Sequence, residues 1–248
     1  MMKKYWNLSI QMIFQNPFAS LNPRMTLAQT LNESVRFHYP NLSADAVDDK
    51  VDTVLLSVGL AQSQKKRYPH EFSGGQQQRI SIARALVIEP HFLIADEPVS
   101  ALDISVQAQV LNVLKDIHQQ RRLTIFFISH DLSVVRYFAS DVGVLFLGAL
   151  CEIAPKQMLF DNPLHPYSRA LLDATPKILG GQTSNSKAPI TLNSPQKSED
   201  GSAVGCPLVW RCPFAKEVCH QQTPQLKAAD NANHLVACHG IDENWIHE

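Results

Sequence analysis

Apolar residues recur along this chain at two spacings, and each spacing places an element. The run IQMIF, Ile10 to Phe14, suits a short buried strand. QNPFASLNP follows it and reads as a turn-rich segment in which Pro17 and Pro23 exclude regular structure. Between Leu27 and Leu60 the spacing becomes helical, through Val47, Val51, Val54, Leu55 and Val58, with Gly59 as a stop. Ser73 is then the expected N-cap of a further helix. Gln76 stands three residues on, in capping-box register, and Ile80, Ala83 and Val87 continue one apolar face until Pro90 closes it.

The pattern changes again at HFLIAD, a continuous apolar run ending in a charge, as in a parallel strand buried on both faces. Val106, Val110, Leu114 and Ile117 predict an amphipathic helix, and LTIFFIS, from Leu123, a second buried strand ending near His130. Strand, helix, strand in that order implies a parallel crossover and an α/β sheet. VGVLFLGAL, Val142 to Leu150, predicts a third strand in a hairpin with ALCEIA. The polar stretch from Gly180 to Val204, rich in Ser, Pro and Gly, reads as a linker to a small C-terminal lobe, and there are no internal repeats.

Composition narrows the function classes. With 248 residues, 45% hydrophobic and 18% charged, the chain is long enough for one sizeable domain and an appendage. A net charge of -1 lacks the basic footprint of a general nucleic-acid binder, so no nucleic-acid partner is expected. Lys3 and Lys4 precede only a few apolar residues broken by Asn7, Ser9 and Gln11, which makes neither a signal-peptide core nor a cleavage site. No run is long enough to cross a bilayer. The expectation is a cytoplasmic protein that meets a membrane through a partner.

Candidate chemistry concentrates in FSGGQQQRISIARALVIEPHFLIADEPVSALD, Phe72 to Asp103. Asp96 and Glu97 stand where a buried strand meets the surface. There, one carboxylate can hold magnesium through water while its neighbour orients and activates a nucleophilic water. A solvated strand end explains the pair equally well when it stands alone. His130, at the end of the next strand, falls on the same C-terminal edge of the sheet and tips the balance toward a ligand site. Ser73, Gly74, Gly75 and Gln76 open a helix without bulky side chains, which exposes N–H donors and the positive end of the dipole as an anion grip. Plain helix capping is the alternative.

Together these residues resemble the ATP-binding subunits of ABC transporters. FSGGQ is similar to the ABC signature with Phe72 in place of the usual leucine, FLIADE to Walker B, SALD (Ser100 to Asp103) to the D-loop and ISHD to the H-loop. Gln15, in IFQNP, resembles the Q-loop glutamine. The resemblance implies a P-loop NTPase fold of α/β class with a helical subdomain. It assigns catalysis to Glu97 and His130, nucleotide binding to Gln15, Ser73, Gly74, Gly75, Gln76 and Asp103, and magnesium to Asp96 and Gln15. QNPFASLNPRMT, YPHEFSGGQQQR and PLHPYSRALLDATP narrow it to the importers of oligopeptides and dipeptides. The implied partners are a second ABC ATPase subunit, membrane permease subunits and, indirectly, a peptide-binding protein. The implied location is the inner face of the cell membrane.

The same resemblance divides the chain into a residual N-terminal strand and Q-loop (1–26), a helical subdomain with the signature (27–85), the Walker B, D-loop and H-loop part (86–179), the linker (180–204) and the cysteine lobe (205–248). Cys206, Cys212, Cys219 and Cys238, with five, six and eighteen residues between them, resemble the family's pattern for a 4Fe-4S cluster. Four thiolates also suit zinc, although no pair has the tight spacing of a zinc ribbon, and unliganded thiols are the third reading. Cys151, in a strand, is expected to pack as an apolar residue.

One expected motif is not found. None of the ten glycines is followed by lysine, so the 248 residues contain no G-x-x-x-x-G-K-S/T loop to wrap phosphates, and only fourteen residues precede Gln15. The expectation is a chain lacking the N-terminal part of a peptide-importer ATPase, impaired alone. Three readings follow: an ATP-hydrolysing transport subunit completed by another chain, a truncated or degenerate product that donates only its signature, and a soluble ABC ATPase outside transport.

Overall fold

The computed structural model describes residues 9–174, 190–192, 205–229 and 232–246. The N-terminal octapeptide and all of the expected linker except 190–192 lie outside them. The chain divides into two compact units, Met1–Asp131 and Leu132–Glu248.

The first unit carries a parallel sheet in the order β1 (Ile10–Ile13), β2 (Phe92–Asp96), β3 (Thr124–Ile128). Around it stand α1 (Pro17–Ser20), α2 (Leu27–His38), α3 (Ala44–Ser57), α4 (Gly74–Leu86) and α5 (Ile104–Arg121). The α/β class expected from the strand–helix–strand order is the class found.

Four local readings change. Pro17 opens the single turn α1 instead of excluding one, because at the first helical position its missing N–H costs nothing. The helical stretch before Gly59 is two helices, capped by Thr26 and Ser43, each accepting through its hydroxyl from the third helical residue. Helix α4 ends at Leu86, short of Pro90, after which Glu89 takes a left-handed φ of 56°. And β3 is not buried on both faces: Phe126 is 55% and Ile128 40% exposed, whereas in β2 the alternate residues Leu93 and Ala95 have no exposure. The other apolar residues of β3, Ile125 and Phe127, are half-buried, so no residue of this strand is fully withdrawn from water.

Leu31, Val35, Val51, Leu55, Ile80, Ile82, Leu86 and Leu114, all between 0% and 2% exposed, form much of this unit's core. Each contributes on the order of 1.5–3 kcal/mol by leaving water. Gly59 stops α3 as expected: its φ of 70° suits a residue without Cβ, and a Cβ there would stand 2.9 Å from Arg79 Nη1.

The second unit begins with α6 (Leu132–Phe138) and the hairpin β4 (Asp141–Phe146), β5 (Ala149–Pro155). The expected strand Val142–Leu150 therefore breaks at a two-residue turn, Leu147 and Gly148, both with positive φ, which is how a tight hairpin matches strand twist. Next come α7 (Lys156–Asp161), α8 (Pro166–Asp173), α9 (Glu217–Gln221), β6 (Lys227–Ala228), β7 (Leu235–Val236) and α10 (His239–Asp242). The antiparallel order is β4-β5-β7-β6, so the hairpin shares one sheet with two short strands from the C-terminal part of the chain. Val142, Val144, Ala154 and Leu159 make one buried cluster of this unit, and Leu164, Val236, Cys238 and Ile246 another.

Candidate nucleotide site and cysteine pocket

Register in the parallel sheet assembles the first group. Ile13 pairs with Ala95, and Ala95 with Phe127, so the residues just beyond each pair leave the sheet along one C-terminal edge. Gln15, Glu97 and His130 occupy those positions. Gln15 Nε2 donates to Glu97 Oε2 at 2.8 Å, and His130 Nδ1 donates to Glu97 Oε1 at 3.0 Å. Residues up to 115 positions apart in sequence thus meet through one carboxylate.

Glu97 is fixed from behind as well. Its N–H donates to Ile128 O at 3.0 Å, and its own carbonyl accepts from Ser100 N (3.2 Å) and Ser100 Oγ (3.1 Å). Its φ of 44° is left-handed, a rare state for a residue with a Cβ and one that clusters where side chains must be aimed. Hydrogen bonding from His130, helped by Ser100 and Gln15, lowers the Glu97 pKa below its ordinary value against the opposing effect of burial. The same bond and the Glu97 charge raise that of His130. Both shifts favour the charged pair, carboxylate with imidazolium, and the imidazole stands largely in solvent.

The signature residues form a second group. Ser73 Oγ accepts from Gln76 N at 3.4 Å and Gln76 Oε1 accepts from Ser73 N at 3.1 Å, the reciprocal capping box expected from the sequence. Gly74 approaches Leu102, and a Cβ on Gly75 would collide with Val106 Cγ1. Gly75 therefore serves close packing of α4 on the start of α5, a role the sequence alone left hidden behind anion binding.

Asp103 caps the backbone of α5, where its carbonyl accepts from Gln107 N at 2.8 Å, but its side chain makes no capping bond. Asp96 ends β2 and takes no part in the bonds around Glu97. The structure thus brings Gln15, Glu97 and His130 together, sets Ser73–Gln76 beside the D-loop segment, and joins neither group to the other by a hydrogen bond among the described residues.

In the second unit, Cys206, Cys212, Cys219 and Cys238 line one small pocket with His165 and Trp245. All four are thiols. Gly205, at φ 99°, permits the approach: a Cβ there would lie 2.6 Å from the carbonyl oxygens of Cys219 and His220. Burial pushes the Cys206 and Cys212 thiols up to about 11 and raises Cys238. Cys151, 5% exposed and pushed up to about 12 by burial, packs as an apolar residue. Among the described residues no group of three or more His, Cys, Asp or Glu closes on a point to hold a single metal ion.

Beside this pocket lies a network that the sequence did not signal. Glu152, fully buried, accepts from His234 Nε2 (2.6 Å), Leu164 N (2.8 Å) and His165 N (3.0 Å). His165 Nδ1 in turn accepts from Tyr167 N at 3.1 Å, capping α8. Burial lowers the His165 pKa to about 4, so it is neutral. A glutamate in the strand run ALCEIA and a histidine in PLHPYS were the available signs, since a charge inside an apolar run calls for a buried partner.

Comparison with known proteins decides the family. Residues 1–100 match the ABC transporter family and residues 151–219 the oligopeptide/dipeptide transporter C-terminal region. The oligopeptide transport ATP-binding protein AppF of Bacillus subtilis is 47% identical over 96% of this chain and 71% of its own length. The chain belongs to this family of ABC transporter ATP-binding proteins. The di/tripeptide transport ATP-binding protein DppF of Pseudomonas aeruginosa is 45% identical over 94% of this chain and 71% of its own length. Among solved structures, the ATP-binding cassette MJ0796, a dimer bound to ADP and Pi, superposes with a TM-score of 0.55 at 27% identity, covering 62% of this chain and 66% of that one. CbiO1 of Clostridium perfringens, part of the transporter complex cbiONQ, gives 0.57 at 26%, covering 64% and 61%. The fold of this family is that of ABC ATPase domains, and no helix of the described residues is long and apolar enough to cross a membrane.

Proposed function

We propose that the chain is the ATP-binding subunit of an importer of oligopeptides or dipeptides, acting from the inner face of the cell membrane with a second ATPase subunit and permease subunits. The observation that carries this reading is the Gln15–Glu97–His130 group on the sheet edge. Glu97, ionised and aimed by two donors, is the group that takes a proton from an attacking water. His130, as imidazolium, holds that carboxylate in place and offers charge to a developing phosphate anion. Gln15 links the segment leading to α1 with the same carboxylate, so movement there is felt at the base. Asp96 and Gln15 offer the oxygen donors that magnesium takes, and with so few protein ligands the phosphates and water complete its shell. Magnesium, when bound, neutralises charge on the transferred phosphoryl group.

The 248 residues include no glycine–lysine step, so we assign Ser73–Gln76 to nucleotide held by a phosphate-binding loop outside them. A chain of these residues alone then grips ATP weakly, and a measured low-micromolar affinity overturns that part. For the whole reading, the test is ATP-driven uptake of labelled peptides by vesicles carrying the permease, the partner ATPase and this chain. Uptake that collapses with Glu97→Gln supports it; uptake indifferent to this chain refutes it. The competing assignment, a subunit that donates only its signature, expects Glu97→Gln to be silent and Ser73→Ala to be damaging.

For the cysteine lobe we propose a 4Fe-4S cluster on Cys206, Cys212, Cys219 and Cys238. Four thiols on one pocket supply its donor set, and a cubane spreads its ligands more widely than a single zinc ion does. Such a cluster ties four backbone points of the lobe together. Anaerobic isolation with iron and sulfide analysis tests this: iron and labile sulfide lost together in each Cys→Ser variant is the expected result, and zinc or no metal overturns it.

A further inference from the structure

The residue after the signature bonds back to the approach to its own helix. Gln77 is 2% exposed, and its Nε2 donates to Pro69 O at 2.8 Å and to Phe72 O at 3.1 Å. Both acceptors are backbone carbonyls, which can only accept, so the amide nitrogen must face them. Its oxygen is left buried without a partner, a penalty that an apolar residue of the same size would avoid. What the amide gains in return is a tie from inside α4 to two points of the approach to the signature, eight and five residues back.

We propose that Gln77 is a positioning residue that keeps the signature turn in shape while its capping groups are given over to nucleotide; this rests on the reading of Ser73–Gln76 as a nucleotide grip. In the structure Ser73 Oγ and the Gln76 amide are spent on each other. A phosphate that draws off the Gln76 N–H opens the half of the capping box that Ser73 Oγ closes, whereas the Ser73 hydroxyl can donate to phosphate while still accepting from Gln76 N. The side-chain bonds of Gln77 lie on the inner side, do not involve Ser73 or Gln76, and survive that exchange. They hold Pro69 and Phe72, hence the direction in which the chain enters the helix. The neighbouring 3-10 turn Pro69–Glu71 is closed by Phe72 N donating to Pro69 O at 3.2 Å, so Gln77 adds a second bond to a carbonyl already in use and pins that turn to α4.

Two measurements on Gln77→Met, of similar length but without donors, test this. In hydrogen exchange on the full chain, the amides of 72–76 should exchange about tenfold faster, with the rest of α4 unchanged. In the assembled transporter, kcat for ATP hydrolysis should fall on the order of tenfold to a hundredfold with KM held within about twofold, because misaiming a grip that closes only on bound nucleotide costs the chemical step. Unchanged exchange at 72–76, or a KM rise with kcat intact, overturns the proposal. If the wild-type chain supports no hydrolysis at all, the nucleotide reading fails and the exchange result still decides whether Gln77 shapes the turn. Should Gln77→Met not fold, Gln77→Glu, isosteric and unable to donate twice, takes its place with the same expectations.

Discussion

Glu97 and Glu152 each accept from a histidine and from further N–H donors, yet the Glu97 side chain keeps 22% of its exposure and that of Glu152 none. Glu97 ends a strand, its partners are two side chains, and its histidine stands 72% exposed. Glu152 lies mid-strand, and two of its three donors are backbone N–H groups. The same carboxylate–histidine pairing therefore does two jobs. Where water reaches it, the pair can exchange protons and ligands; where water is excluded, it joins β5 to the turn before α8 and to the residue preceding β7. Burial, more than residue type, separates chemistry from architecture here.

The two pairs should differ most at Glu152. Glu152→Ala strands His234 and two N–H groups in a water-free site and should cost about 3–5 kcal/mol of the second unit's stability, read by chemical denaturation. A loss like that of an exposed pair would mean that the network is solvated. Acid should separate the units next. His165, neutral with a pKa lowered to about 4, binds protons more readily once unfolded. Stability of the second unit should thus fall as pH drops from about 6.5 toward 4, by at most roughly 3 kcal/mol. Denaturation across that range, with and without His165→Gln, checks it.

At Gly75 the expected effect is smaller. Gly75→Ala drives a methyl into Val106 and should cost about 1–3 kcal/mol of the first unit's stability whether or not nucleotide is present. An effect confined to nucleotide binding would return the glycine to the anion grip alone. Smallest in stability and sharpest in diagnosis is Glu97→Gln. The pair contributes under about 1 kcal/mol because His130 is solvated. Its Glu97 share is present above the ordinary carboxyl value of 4.5 and lost as pH falls through the lowered one. Its His130 share is present below 6.5 and lost as pH rises through the raised value. NMR titration of His130 should show that raised pKa in the parent chain and its return toward about 6.5 in Glu97→Gln.

Much of this was legible in advance, unevenly. The capping box at Ser73, the stop at Gly59 and the burial of Cys151 follow from local rules, because a cap, a left-handed φ or an apolar strand position is decided by a few neighbouring residues. HFLIAD, expected to be buried on both faces, is fully buried only at the alternate residues Leu93 and Ala95, and LTIFFIS, expected to be a buried strand, exposes Phe126 and Ile128, since cover is supplied by elements distant in sequence. The helical turn at Pro17 was hidden by a rule about helix interiors applied to a helix start.

The α/β order of elements and the set of candidate residues could be read from the chain alone, for these depend on periodicity and on motifs whose spacing is local. Only the tertiary structure decided that Gln15, Glu97 and His130 share one carboxylate, that Gly75 packs on Val106, that Gln77 holds the signature turn, and that Glu152 is buried among donors. Those are pairings across 5 to 82 residues, most of them set by strand register and helix packing. A hydrogen bond or a Cβ collision depends on distances that one residue's neighbours in sequence do not specify.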